Sequence, residues 1–163
     1  FSNKMNFDVP FKRPDRLCTK NSKIIKTIQH ALKFYQNQNI YFDNICLLQP
    51  TSPLRKLYDI TKSLKIFEKN KSDTLISVFK LFKLFNKNIF YKKKINHIIS
   101  CRKVISNDLH IMNGPAVLIA SVKNITKNNL YGKKISYYEM PYHRSFDIDL
   151  DEDFKICEKL IKS

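Results

Sequence analysis

Stretches with helical and strand periodicity alternate along this 163-residue chain, and that alternation most narrows the folds open to it. Residues 21–37 carry apolar side chains at helical spacing, and residues 44–48 form a short apolar run typical of a buried strand. The spacing becomes helical again over residues 54–70, and residues 73–79 form a strand pattern rich in β-branched side chains. Helices that alternate with buried strands predict an α/β layered fold with a largely parallel sheet.

The second half of the chain continues this alternation. The predicted elements are a buried strand at 116–120, a short helix at 121–129, an edge strand at 135–138 and a helix at 151–161 with acidic residues in its first turn. Residues 80–112 fit neither period, so hairpin-like strands or an exposed arm are expected there. The length suits one domain, 1–163, with a sizeable core.

The net charge of +16 raises the question of nucleic-acid binding. Only five of the 30 basic residues are Arg, the residue that readers of base edges favour, and the Lys residues are spread along the whole chain. The densest basic run, YKKK at 91–94, suits a solvated face or a strand edge. A basic α/β module that binds nucleic acid without catalysis is therefore kept as the alternative function.

The cysteines and the apolar stretches indicate the compartment. Cys18, Cys46, Cys101 and Cys157 form no CxxC pair, which is typical of reduced thiols rather than of zinc ligands or disulfides. No stretch approaches the ~20 apolar residues of a membrane span. The first ten residues do not resemble a signal peptide. A cytoplasmic protein without membrane contact is expected.

Residues 47–55, LLQPTSPLR, place polar side chains on a stiff loop directly after a predicted strand. Pro50 and Pro53 restrict the backbone, so the side chains around them can face a ligand with little ordering cost on binding. In α/β sheets, ligands bind beyond the carboxyl ends of strands. The candidate binding residues of this loop are Gln49, Thr51, Ser52 and Arg55. The alternative is a plain helix entry, with Ser52 as N-cap and Pro53 at the first helical position.

Five of the fourteen acidic residues fall within residues 147–153. If residues 146–150 are extended, Asp147 and Asp149 project to one side roughly 7 Å apart, while Ile148 and Leu150 face the core. Two carboxylates on one face suit Mg²⁺, especially when phosphate oxygens complete its octahedron.

Other interpretations of this acidic cluster remain open. The helix dipole favours acidic residues at 151–153, although this leaves Asp147 and Asp149 unexplained. An EF-hand loop would match Asp147, Asp149, Asp151 and Glu158, but Glu152 stands where that loop needs Gly. A solvated turn is the third possibility.

Residues 113–115, Asn-Gly-Pro, precede the predicted strand at 116–120. Gly114 is one of only two glycines, so a special φ angle or a close approach of the backbone to a ligand is plausible there. A plain turn before a strand is the simpler interpretation.

Four segments together resemble the CMP-sialic acid synthetases, the cytidylyltransferases that activate sialic, legionaminic and related nine-carbon acidic sugars. The segments are VPFKRPDRL at 9–17, LLQPTSPLR at 47–55, NGP-AVLIA at 113–120 and MPYHRSFDIDLDEDF at 140–154. Their order and spacing match that family over essentially the whole chain. The resemblance implies a Rossmann-like three-layer nucleotidyltransferase fold. It also implies Mg²⁺-dependent transfer of CMP from CTP to the sugar, with release of pyrophosphate.

The resemblance also implies roles for individual residues. Arg13 would lie near the nucleotide phosphates, and Arg102 would pair with the sugar carboxylate. Asn113, with Gly114 beside it, would border the junction of nucleotide and sugar. Asp147 and Asp149 would hold Mg²⁺. The remaining implied sugar contacts are Gln49, Thr51, Ser52 and Arg55. The family is commonly a homodimer whose arm emerges from the middle of the chain, which matches residues 80–112.

The sequence departs from the family pattern at its beginning. Family members start with a strand and an Arg/Lys/Gly-rich loop that cradles the triphosphate, and this chain has no such segment. The chain thus corresponds to the C-terminal two thirds of the family's domain, and it is expected to have little or no activity by itself. Lys20 stands where the family favours Asp, and Phe146 stands where Ile is usual.

Overall fold

The structure is a computed structural model that describes residues 9–19, 21–80, 110–114 and 116–162. The helices are α1 (Ile24–Gln36), α2 (Leu57–Asn70), α3 (Val122–Thr126) and α4 (Asp151–Lys162). The strands are β1 (Asn44–Leu47), β2 (Thr74–Lys80), β3 (His110–Met112), β4 (Leu118–Ser121) and β5 (Ile135–Glu139). Short 3₁₀ turns occupy Asp15–Leu17 and Tyr142–Arg144. None of the helices in these ranges is both long and apolar enough to cross a membrane.

The helix α2 begins three residues later than the apolar spacing predicts. The carboxylate of Asp59, in the first turn, accepts a hydrogen bond from the backbone N–H of Lys56 at 2.8 Å, so Lys56 is the N-cap. This contact satisfies one of the backbone donors that a helix N-terminus leaves free. The helix-entry interpretation of Ser52 and Pro53 is therefore wrong, because both residues precede the cap.

The strands β2 and β4 occupy the centre of the sheet and supply many of its core residues. β4 lies between β1 and β2 and runs antiparallel to both. On its other side β2 pairs with β5, and this pair is parallel. The fourth pairing, between β2 and β3, is antiparallel. The prediction of a largely parallel sheet is not confirmed, because three of the four described pairings are antiparallel.

Burial on both faces of the sheet explains this difference. β4 is buried along its whole length because helices cover both faces of the sheet. Burial on both faces yields a continuous apolar run whichever way a strand points. Such a run is therefore compatible with a central antiparallel strand as well as with a parallel one.

β3 and β4 pair with successive parts of the same edge of β2, and the chain bulges between them. Met112 pairs with Val78 and Leu118 pairs with Ile76. Six positions therefore separate Met112 from Leu118, whereas two separate their partners Val78 and Ile76, so the chain has four more residues here than a regular ladder would place. Ser77 closes the bulge by two hydrogen bonds of 2.9 Å with Val117, one from its own N–H to the carbonyl and one from the Val117 N–H to its hydroxyl. This insertion ends regular pairing where residues 113 and 114 leave the sheet.

The sheet divides the core into two clusters, which makes the fold three-layered. On one face, α1 and α3 pack against alternate residues of the central strands, including Ile76 and Leu118. On the other face, α2 packs against Leu75 and Ile119, among others. The alternation follows from the period of two in a strand. The architecture is consistent with a Rossmann-like α/β domain.

Two further expectations concern the arm and the acidic segment. Residues 81–109, most of the expected arm, lie outside the described residues, so the arm stays a prediction. Residues 146–150 form no strand, and the side chain of Leu150 is 64% exposed rather than facing the core. Ile148 is half-buried and lines an apolar groove together with Pro50 and Pro53.

Candidate functional site

The loop after β1 is held by its own backbone and by one arginine. The carbonyl oxygen of Gln49 accepts hydrogen bonds from the N–H of Ser52 at 3.3 Å and from Nη1 of Arg55 at 3.2 Å. The same Nη1 donates to the carbonyl of Ala116, at the end of the bulge, at 2.7 Å. Arg55 thus braces the loop against the neighbouring strand. Partial burial lowers the pKa of this guanidinium, an effect that the nearby Cys46 and Asp59 oppose.

The acidic segment meets this loop directly. The backbone N–H of Ile148 donates to the carbonyl of Thr51 at 2.8 Å. The Ser52 hydroxyl, on a residue only 1% exposed, donates to Oδ1 of Asp147 at 3.3 Å. Two segments about 95 residues apart in sequence therefore form one edge of the molecule.

The bulge completes this edge through Gly114. Its φ of +56° lies in the left-handed region, and a Cβ atom there would lie 2.7 Å from Cγ of Asp147 and closer still to Oδ2. Glycine is needed on both counts, because it has no Cβ and adopts positive φ without strain. Asn113 is 3% exposed; its Nδ2 donates to Sδ of Met140 at 3.3 Å, while its Oδ1 has no hydrogen-bond partner among the described residues.

We call this assembly the loop–aspartate junction; it comprises residues 49–56, residues 113 and 114, and residues 144–148. Behind it lies an apolar groove of about 250 Å³, lined by Pro50, Pro53, Ile148 and residues of α4. The buried Cys157 is one of them, and burial raises the pKa of its thiol. The groove therefore separates the apolar side of the junction from α4.

A buried carboxylate beneath the junction escaped the sequence analysis. Asp59 is 0% exposed, and its Oδ1 accepts hydrogen bonds from Nη2 of Arg144 at 2.6 Å and from the hydroxyl of Tyr138 at 2.9 Å. Burial raises the pKa of Tyr138 to about 12, and the hydrogen bond to Asp59 adds to the shift. An acidic residue in a first helical turn is common, so the sequence gives no sign of burial. Its partner Arg144 lies within the HRSFDID stretch, so that motif was the only sequence signal that pointed to this part of the site.

The candidate residues do not all meet at the junction. Asp149 is exposed, and its backbone N–H donates to Oδ2 of Asp153 at 3.1 Å. Arg13 is also exposed, and its Nε donates to Sγ of Cys18 at 3.3 Å. No hydrogen bond joins Arg13 to the junction in the described ranges. Arg102 lies outside the described residues, and its role stays a prediction.

A carboxylate such as that of Asp147 is the type of ligand that a hard cation such as Mg²⁺ prefers. Oδ1 of Asp147 accepts a long hydrogen bond from Ser52 at 3.3 Å. The carboxylate lies directly beside the backbone of Gly114, in space that the Cβ of any other residue would occupy. Among the described residues, no group of three or more His, Cys, Asp or Glu side chains could hold a metal. Protein sites for Mg²⁺ commonly use one or two carboxylates and take the remaining oxygens from water and substrate phosphates. Asp147 could supply one such carboxylate, and the exposed Asp149 lies two residues further on.

Comparison with known proteins gives two relatives, while no family model matches the chain. The CMP-N,N'-diacetyllegionaminic acid synthase of Legionella pneumophila is 29% identical over 170 residues, which cover 94% of this chain and 69% of the relative. The post-translational flagellin modification protein B of Campylobacter coli is 26% identical over 167 residues, which cover 95% of this chain and 68% of the relative.

The α/β layers and the junction beyond a strand end are consistent with the nucleotidyltransferase class, which the names of these relatives support. Within that class, both relatives, at modest identity but over most of this chain, support the nonulosonate cytidylyltransferase family. The resemblance found in the sequence motifs is thus confirmed at the level of the family.

Proposed function

We propose that this protein takes part in the transfer of CMP from CTP to an acidic nine-carbon sugar, with Mg²⁺ as cofactor. The observation that carries the proposal is the loop–aspartate junction, where the stiff loop, the bulge and Asp147 come together. The names of the relatives support a product of the CMP-nonulosonate type. A homodimer and the role of the arm at 80–112 belong to the same proposal.

In this reaction the anomeric hydroxyl oxygen of the sugar forms a bond to the α-phosphorus of CTP. The bond between that phosphorus and the bridging oxygen of the β-phosphate breaks, pyrophosphate leaves, and the hydroxyl proton is released. A metal ion bound at Asp147 and Asp149 would neutralise charge on the phosphates. No protein base is assigned to the proton.

The chain's own residues serve mainly to position the reactants. Prolines on either side of Thr51 and Ser52 fix the loop before the sugar binds, so little conformational entropy is lost. Polar groups of Gln49, Thr51 and Arg55 would face the sugar acid. Ser52 would also contact the sugar. Because its hydroxyl is hydrogen-bonded to Asp147, we assign it the additional role of orienting that carboxylate. Asn113 and Gly114 would border the bond that forms.

Groups beyond the junction complete the proposed set. Arg102 would pair with the sugar carboxylate and Arg13 with the phosphates of CTP. Both assignments rest on the family resemblance.

The test measures pyrophosphate release from CTP with acidic nine-carbon sugars and Mg²⁺. Two versions are compared: the chain as it stands, and the chain joined to the part of the Legionella relative that it does not match. We expect turnover in the joined version, dependent on CTP and abolished by Asp149→Asn. Full activity of Asp149→Asn would refute its metal role. Salt-sensitive retention on DNA without any CTP dependence would favour the nucleic-acid alternative.

A further inference from the structure

Asp59 is a buried carboxylate whose two oxygens are bonded to three separate parts of the chain. Oδ2 accepts the N–H of Lys56, where the loop after β1 ends. Oδ1 accepts Nη2 of Arg144, three residues before Asp147, and the hydroxyl of Tyr138 on β5. One side chain therefore connects the end of the loop with the start of the acidic segment.

Stability alone does not account for this arrangement. Burying two charges carries a large desolvation penalty, and replacing a buried ion pair by apolar residues is often neutral or stabilising. The side chain of Arg144 is 16% exposed, Asp59 is the only acceptor of its guanidinium among the described residues, and its Nε has no partner there. The pair is thus costly and not fully satisfied. A role in fixing geometry explains its presence better.

The pair also closes a ring of contacts around the junction. The ring runs from Thr51 along the loop to Lys56, through the carboxylate of Asp59 to Arg144, and on to Ile148. The bond from the Ile148 N–H to the Thr51 carbonyl closes it. The hydrogen bond from Ser52 to Asp147 spans the same gap. At 3.3 Å it is long compared with the usual hydroxyl donor–acceptor distance of about 2.7–2.8 Å.

We propose that Asp59 is a positioning residue that sets the distance between the loop and Asp147. It acts through Arg144 and the Lys56 N–H and touches no substrate itself. The inference rests on the proposed function, because the distance matters for catalysis only if sugar and metal-bound nucleotide meet at the junction. A displacement of about 1 Å at a reacting centre can cost about 10²-fold in rate.

The variant Asp59→Asn tests this, because it keeps the shape of the side chain but leaves Arg144 without a countercharge. In whichever version of the protein is active, we expect kcat per folded molecule to fall about 10- to 100-fold, with smaller changes in KM. The amide of Ile148 should also exchange with solvent faster in an NMR hydrogen-exchange experiment. Both effects should be reduced in Asp59→Asn combined with Arg144→Gln, which restores a neutral pair.

The matched control is Asp73→Asn. Asp73 is another carboxylate with defined partners, and it directly precedes β2, at the end of that strand away from the bulge. Asp73 binds Lys123 at 2.9 Å and backbone N–H groups of residues 133 and 134, away from the junction. We expect neither kcat nor Ile148 exchange to change in this control.

The outcomes separate the two proposals. A lower Tm for Asp59→Asn, with unchanged kcat per folded molecule and unchanged Ile148 exchange, would overturn the positioning role. If no version of the protein releases pyrophosphate, the proposed function fails, whereas Ile148 exchange still decides whether Asp59 sets the junction. Faster exchange with unchanged kcat would show that Asp59 holds the junction together but that the distance it sets does not affect catalysis, which overturns its role as a positioning residue for the reaction.

Discussion

Two regions next to β1 are stabilised by different kinds of interaction. At its carboxyl end, the loop–aspartate junction depends on directed hydrogen bonds among a few side chains and backbone groups. Along its length, β1 and α1 enclose an apolar groove of about 310 Å³, which we call the α1–β1 groove. Its lining residues are Ile28, Ala31, Leu32, Tyr35, Phe42, Asn44, Ile45, Cys46 and Leu47.

This difference predicts which substitutions the junction and the groove each tolerate. Hydrogen bonds have steep distance and angle requirements, so displacing one atom at the junction alters the whole arrangement. Apolar burial is non-directional and roughly proportional to area, so the groove should accept conservative changes at a modest cost. Variants at the junction should therefore change catalysis, and variants at the groove should change stability alone.

Among the variants that compare these two regions, the largest effect is expected for Asp147→Asn. The amide lacks the negative charge that would hold Mg²⁺, and we expect kcat for pyrophosphate release to fall at least about 10²-fold, the usual scale for losing one electrostatic contact at a transition state. Steady-state kinetics over a range of Mg²⁺ concentrations measure it, with Asp73→Asn as control. Activity within error of the parent protein would remove Asp147 from the metal site.

Gly114→Ala should produce the next largest effect. The new Cβ would collide with the carboxylate of Asp147, and alanine at φ +56° is strained by about 1–2 kcal/mol. We expect a loss of about 10-fold or more in kcat per folded molecule, together with a lower Tm.

Gly132→Ala is the matched control for this variant. Its Cβ would also collide, with Asp73 and with Nδ2 of Asn124 at 2.5 Å, but far from the junction. It should lower Tm and leave kcat per folded molecule unchanged. If both variants lose kcat equally, the special status of the junction is refuted.

In the α1–β1 groove, Ile28→Val should reduce stability without touching catalysis. Ile28 is 9% exposed and packs in the core cluster of α1, and removing one buried methylene typically costs about 0.5–1.5 kcal/mol. Urea denaturation measures the free energy of unfolding, and kcat per folded molecule should be unchanged. A drop in kcat would mean that the groove and the junction are coupled.

The smallest effect at neutral pH concerns Tyr138. The pKa of its hydroxyl is raised from 10 to about 12 in the folded protein, so the folded state holds this proton more tightly than the unfolded state. Its contribution is fully present below pH 10 and is lost as the pH rises towards 12.

Denaturation at a series of alkaline pH values tests this expectation. Tyr138→Phe, which cannot ionise at this position, should lose less stability between pH 10 and 12 than the parent protein does. Identical pH dependence of the two proteins would show that Tyr138 does not cause the alkaline loss.

The sequence by itself determined the local elements and the family. The apolar period of α1, the β-branched run of β2 and the proline-stiffened loop are short-range properties, so each could be predicted within a few residues of its bounds. The motifs likewise sufficed to identify the family that the two relatives support.

Only the tertiary structure decided the direction of the strands, the four-residue bulge before β4 and the burial of Asp59. Each depends on partners distant in the chain: Asp59 and Arg144 are 85 residues apart, and Ser52 and Asp147 are 95 apart. Local periodicity records which faces of an element are covered but not what covers them. The reason is physical, since the contacts that build the junction form only once the sheet has brought these segments together.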